Sequence, residues 1–140
     1  MRVLGIDYGD ARVGVAVSDE LELMAHGIET IPNRVYKKMM DRLVQLAAAY
    51  QTRRFVIGLP RNMDGSEGFR AAATKAFAAD LQTYLPDAEL VLWDERLSTV
   101  EAAGILNRTN TRGKSRKAVI DTVAAEIILQ SYLDANRAGI

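Results

Sequence analysis

The chain has 140 residues, 49% of them hydrophobic and 26% charged, with 18 basic side chains against 18 acidic ones and no cysteine. These figures exclude disordered and membrane classes, disulfide frameworks and thiolate metal sites, and the balanced charge argues against a generic polyanion binder, whose affinity comes from cations that displace counterions. One domain over residues 1–140 is expected, in the cytoplasm by default: no charged leader precedes an apolar run, and no stretch reaches the ~20 apolar residues of a membrane helix.

Arg2 to Asp7 alternates, with Val3, Gly5 and Asp7 on one side and Leu4 and Ile6 on the other, which predicts a strand. Gly9-Asp10 signals a turn, and Arg12 to Ser18 alternates again, so the two runs read as an antiparallel hairpin. A third strand is expected near Gly27 to Ile31, before the break at Pro32-Asn33. Tyr36, Met39, Met40, Leu43, Leu46 and Ala47 then recur at helical spacing toward Tyr50. Arg54 to Leu59 predicts an apolar strand, RNMDGSEG a turn-rich loop, and the segment from about Glu67 to Tyr84 a helix. Leu90 to Trp93 is the last predicted strand. Ser98 and Glu101 have capping-box spacing and open a short helix toward Asn107, followed by a basic segment and a helix from about Ser115 to Asn136. This order predicts an α/β fold, a mixed sheet whose first strands are antiparallel, with helices packed on its faces.

Three acids stand beside residues that should be buried: Asp7 at the end of the first strand, Glu95 just past the last, and Asp121 on the final helix. Asp121 shares a helical face with Ala125, Ile128 and Tyr132, which should pack on the sheet. If the first and last strands run parallel, Asp7 and Glu95 meet on the rim where ligands bind such sheets. A carboxylate removed from water needs a cation or several donors to compensate. Three converging acids would suit Mg²⁺ or Mn²⁺, hard cations that take oxygen ligands. Two such metals bridged by Asp7 would hold a scissile phosphate, one generating hydroxide and the other stabilising the leaving 3′ oxygen. Taken singly, each acid also has an ordinary role: Asp7 accepting turn amides, Glu95 paired with Arg96, Asp121 paired with Lys117.

Around these acids, GIDYGDARVGVAVSD, GLPRNMDGSEG, DERLSTVEA and KAVIDTVAAEIIL together resemble the YqgF (RuvX) family, bacterial nucleases of the RNase H-like, RuvC-related superfamily. The resemblance spans essentially the whole chain, in order. It implies a ribonuclease H-like fold with a five-stranded mixed sheet, and a divalent-metal nuclease that matures the 5′ end of pre-16S ribosomal RNA, with structured RNA or a pre-ribosomal particle as partner. Holliday junction resolution on four-way DNA is the older assignment by analogy. The family's acidic positions fall on Asp7, Glu95 and Asp121. Related resolvases add another acid one turn further along the last helix, where this chain has Ala124 and Ala125 and where Glu126 projects from a different side.

Gly5, Gly9 and Gly14 keep the hairpin free of bulk, either for close packing and turning or to admit a nucleic-acid backbone. Arg12 and Arg96 could each reach a phosphate or form a surface ion pair, and Asn62 could contact a sugar or only support its loop. Arg108, Arg112, Lys114, Arg116 and Lys117 form an acid-free stretch without interleaved aromatics, suited to backbone contact rather than base stacking, or simply solvated. A noncatalytic binding module of the same fold is the alternative from another class. An ATP-handling role is disfavoured, since the chain has no Walker A sequence and is too short for a second lobe.

Overall fold

The computed structural model describes residues 1–97 and 113–137, and of residues 113–121 the helical backbone only. The elements are β1 (Leu4–Tyr8), β2 (Arg12–Ser18), β3 (Ala25–Pro32), α1 (Tyr36–Ala49), β4 (Arg54–Leu59), α2 (Phe69–Tyr84), β5 (Glu89–Asp94), a 3₁₀ turn at Glu95–Leu97 and α3 (Gly113–Arg137). They form a five-stranded sheet in the order β3-β2-β1-β4-β5. The first three strands are antiparallel neighbours, whereas β4 runs parallel to β1 and β5 parallel to β4. This is the mixed sheet that the alternation and the crossover helices predict. The short helix expected from Ser98 to Asn107 lies outside the described residues.

Element ends differ by a few residues from expectation, for local reasons. α2 starts at Phe69 and not Glu67, whose carboxylate ties down the preceding loop by pairing with Arg61 at 3.3 Å and with Lys75. α3 starts at Gly113, so Lys114 belongs to helical backbone and not to a loop.

The side-chain alternation of β1 separates two cores. Leu4 and Ile6 join Val13, Val15, Phe55 and Ile57 beneath α1 and α2, packed on Met39, Met40, Leu43, Phe77 and Leu81. Val3, with Ala16 and Val56, faces α3 through Ala125, Ile128, Leu129 and Leu133. Burial of such aliphatic side chains contributes about 1.5–3 kcal/mol apiece, which makes the α3 face a substantial part of the fold's stability.

Helix α3 lies unusually close to the sheet because glycines line its path. A Cβ on Gly5 would stand 2.6 Å from Leu129 Cβ and 3.1 Å from the Ala125 carbonyl oxygen, and one on Gly27 only 1.9 Å from Thr122 Cγ2. Polar contacts fix the helix lengthwise: Thr30 and Thr122 hydroxyls lie 3.1 Å apart, and Gln130 accepts from the Ala25 amide at 2.9 Å. We expect Gly5→Ala to cost about 2–3 kcal/mol, because the clashing atoms are helix backbone and a Cβ that move only with the whole helix. Urea unfolding checks this; a loss below about 0.5 kcal/mol would show that α3 does not rest on Gly5 as described.

Candidate active site

The β1–β4 ladder runs Leu4–Phe55, Gly5–Val56 and Ile6–Ile57, so the next positions along the two strands are Asp7 and Gly58. On the other side Gly58 pairs with Trp93 and Leu59 with Asp94, after which the chain turns at Glu95. Three carboxyl strand ends therefore meet at one rim, and Gly58 stands between Asp7 and Glu95. Glu95 folds back across that glycine: a Cβ there would lie 2.8 Å from Glu95 Oε1, 3.0 Å from its Cγ and 2.5 Å from Ile128 Cδ1. The missing side chain is the gap through which Glu95 reaches Asp7.

The electrostatics follow from that approach. Burial pushes the Glu95 carboxyl up to about 7, helped by the negative charge of Asp7 and by a hydrogen bond in which the protonated Glu95 donates to Asp7, while Arg70 opposes the rise. Two half-buried acids set this close form an arrangement that a bound cation would compensate. The turn carrying Glu95 is braced by its neighbours. Arg96 clasps Asp94, with Nη2 2.7 Å and Nε 3.0 Å from Oδ2, and its backbone amide donates to Asp94 Oδ1 at 3.0 Å. Those bonds hold the Asp94 carboxyl below its usual range.

The other expected site residues are placed as follows. Arg12 opens β2 at the same rim, opposite Pro32 of β3. Asn62 turns inward on its own loop, its Nδ2 donating to Ser66 Oγ at 2.9 Å, with Gly65 in a positive-φ conformation where an added Cβ would lie 3.3 Å from Arg96 Nη1. Asp121 lies on the α3 backbone one turn before Ala125, and Lys114, Arg116 and Lys117 on its first turns. Arg108 and Arg112, like the side chain of Asp121, fall outside the described residues. Among the described residues no group of three or more potential metal ligands assembles; what they contain is the Asp7–Glu95 pair. Glu126 points away, accepting from the Gly27 amide at 3.2 Å. Of the hairpin glycines, Gly5 serves helix packing and Gly9 the turn, where a Cβ would meet the Arg12 carbonyl oxygen at 2.6 Å.

Sequence reasoning did not single out Gly58, Arg70 or Phe69. Gly58 had a readable signal, since a glycine inside an apolar strand marks a close approach. Arg70 and the 83% exposed Phe69 open α2 above Tyr8 and Gly9, and no spacing in the sequence ties that helix start to Asp7. Because Arg70 holds Glu95 down, Arg70→Ala should raise the Glu95 carboxyl further. Carbon-detected NMR titration of the glutamate carboxyls should show one resonance moving to higher pH; an unmoved resonance would remove Arg70 from the site.

The family model for RuvX, described as a Holliday junction resolvase, matches residues 1–135. This chain belongs to the RuvX family. A relative from Halothermothrix orenii is 46% identical over 134 residues, covering 96% of this chain and 95% of its own. One from Myxococcus xanthus is 46% identical over 137 residues, covering 98% and 90%. Both RuvX relatives carry the name "Putative pre-16S rRNA nuclease". Among solved structures, Thermus thermophilus RuvC in complex with a Holliday junction substrate superposes with a TM-score of 0.61 at 14% identity, over 99% of this chain and 96% of that one. The fowlpox virus Holliday junction resolvase gives 0.57 at 8% identity, over 97% and 99%. This RuvX chain thus has the RNase H-like fold of RuvC, with the sheet order and helix placement described above.

Proposed function

We propose that residues 1–140 form a single metal-dependent nuclease domain that hydrolyses phosphodiester bonds, with Asp7, Glu95 and Asp121 as its acidic ligands and structured RNA, foremost the 5′ extension of pre-16S rRNA, as its substrate. Membership of a nuclease and resolvase family supports the reaction, and the names of relatives more than 40% identical over nearly the whole chain support the RNA. The observation that carries the site is the meeting of Asp7 and Glu95 at adjoining strand ends across Gly58, where partial burial and the neighbouring charge raise the Glu95 carboxyl to about 7.

An all-oxygen donor set of this kind fits a hard cation such as Mg²⁺ or Mn²⁺. Asp7 and Glu95 would hold the ion from the strand ends, and the register of α3 supports Asp121 as the third ligand, since the helix carries position 121 one turn beyond the Ala125–Gly5 contact toward the end of β1. When bound, the metal supplies Lewis acidity toward the phosphate and a lowered pKa for water. The chain's own residues do the positioning: Gly58 admits Glu95, the Asp94–Arg96 clasp fixes its turn, and Gly9 leaves the rim clear. Arg12, Asn62 and Arg96 are proposed substrate contacts at this rim, with Arg108, Arg112, Lys114, Arg116 and Lys117 contacting the phosphate backbone. Work in the cytoplasm on ribosomal precursors is part of this proposal; among the described residues no helix is long and apolar enough to cross a membrane.

Junction resolution is kept as a second reading, because the family description and the RuvC fold both favour it. The test is cleavage of a 5′-extended pre-16S RNA and of a four-way DNA junction, with Mg²⁺ or Mn²⁺, by wild type and Asp7→Asn. Metal-dependent RNA cutting that the variant loses supports the proposal. Junction cutting alone replaces the substrate, and equal cutting by the variant sinks the acid site.

A further inference from the structure

A cleft separate from the acids lies between the end of β3 and the start of α1, with a volume of about 440 Å³. That is within the range of small-ligand sites, and larger than the hollow of about 20 Å³ beside Phe69 and Tyr8, which holds little more than a water. Its walls are apolar at Ile31, Pro32 and Val35, and cationic at Arg34 and Lys38. Glu29 also lines it, but Arg42 neutralises that carboxylate through bonds of 2.6 and 2.7 Å. Among the described residues Arg34 and Lys38 have no carboxylate partner, so the cleft carries net positive charge. Val35 is 50% exposed and stands at the N-terminal cap of α1, where no side chain caps the helix and no acid occupies the first turn. The first amides of α1 are therefore open to an anion, adding to the two cations.

This cleft is tied to the acidic rim. The Asn33 side chain donates to the Gly9 carbonyl at 3.0 Å and its backbone amide to the Ala11 carbonyl at 3.0 Å, clamping the cleft to the turn that follows Asp7. β3 lies two strand spacings from β1, roughly 10 Å. A strand held at Asp7 reaches the cleft over the hairpin turn within a few nucleotides.

We infer that the β3–α1 cleft is a nucleotide subsite for the substrate strand, taking a base against Pro32 and Val35 and the adjoining phosphate on Arg34 and Lys38. This rests on the nuclease reading for the identity of the strand. An apolar wall flanked by two cations and open helix amides matches a nucleotide, which presents an aromatic face and a phosphate together; a free phosphate would leave the apolar wall unused.

The test titrates ¹⁵N-labelled Asp7→Asn protein, which cannot cut, with a short single-stranded oligoribonucleotide. Amide shifts at Ile31, Arg34, Val35 and Lys38 are expected. In fluorescence anisotropy, Arg34→Ala with Lys38→Ala should bind roughly ten-fold more weakly, with a salt slope smaller by about 0.7, the value for one phosphate no longer neutralised on a single strand. Val35→Asp should weaken binding as well, and circular dichroism confirms that the variants fold. Shifts confined to Tyr8, Phe69 and Arg70, or an unchanged salt slope in the double variant, overturn the subsite. So does inorganic phosphate alone reproducing the cleft shifts. Cleavage by wild type is measured in parallel: if the cleft binds as stated but no substrate is cut, the nuclease reading fails and the subsite stands.

Discussion

Glu95→Gln is expected to lower metal-dependent cleavage by roughly a thousand-fold or more and, without metal, to make the protein more stable at pH 8. The two effects have one origin. Burial and the charge of Asp7 push this carboxyl from 4.5 up to about 7. Below pH 4.5 it is protonated in both folded and unfolded chains and exacts no pH-dependent penalty. Between 4.5 and about 7 the unfolded chain releases the proton while the folded one keeps it, so stability falls as pH rises, and above 7 the full loss is present. At about 1.4 kcal/mol per pH unit, a rise from 4.5 to about 7 makes the loss at most about 3–4 kcal/mol. Glutamine keeps the shape and cannot ionise, so the variant should hold its stability across that window. The acids whose carboxyls are pulled below their usual range, Asp19, Glu29, Asp64, Glu67 and Asp94, act in the opposite sense and at lower pH, outside it. Urea unfolding of both proteins at pH 4.5, 6 and 8 in chelator gives the comparison. Added Mg²⁺ should restore wild type at pH 8 and do little for the variant; identical pH slopes would mean that the Glu95 carboxyl is not raised by its surroundings.

The second large effect is expected from a residue with no side chain. In Gly58→Ala the new Cβ would overlap Ile128 Cδ1 and the carboxyl end of Glu95, both tips of flexible side chains. Tips can swing aside, so the fold should survive with a loss of about 1–2 kcal/mol. The movement that spares the fold takes Glu95 away from Asp7, and a displacement near 1 Å at a reacting centre costs roughly a hundred-fold in rate. Activity should therefore fall far more than stability, with kcat reduced at saturating metal and substrate. Gly5→Ala should show the reverse pattern, since its clash is with helix backbone some distance from the acids. If Gly58→Ala cuts at more than about a third of the wild-type rate, Glu95 does not reach Asp7 through that gap.

What the sequence made legible was periodicity. The alternation in β1 and β2, the helical spacing of α1 and the apolar stripe of Ala125 and Ile128 all reappear as buried faces, because burial is what those patterns encode. The convergence of Asp7 and Glu95 followed from placing both at carboxyl strand ends once β1 and β5 ran in the same direction. Space was legible only in part. A glycine inside an apolar strand marks a close approach at Gly58, but only the sheet order sets it between the two acids. The Asp94–Arg96 clasp was equally hidden. Residues two apart on a regular strand point the same way, but here the 3₁₀ turn sets their relative direction, and the sequence offered Glu95 as an equally plausible partner for Arg96.

The path of α3 across the glycine-lined face also bears on biosynthesis. Ribosomes release the chain from its amino end, so all five strands and both helices of the opposite layer emerge before this last helix. Until it docks, Val3, Ala16 and Val56 are wet and the rim has its strand-borne acids alone. A nascent chain that has reached only β5 is therefore a half-covered sheet with an open apolar face. On the proposed reading, in which α3 carries Asp121 to the rim, competence to break a phosphodiester arrives with the same docking event that closes the second core.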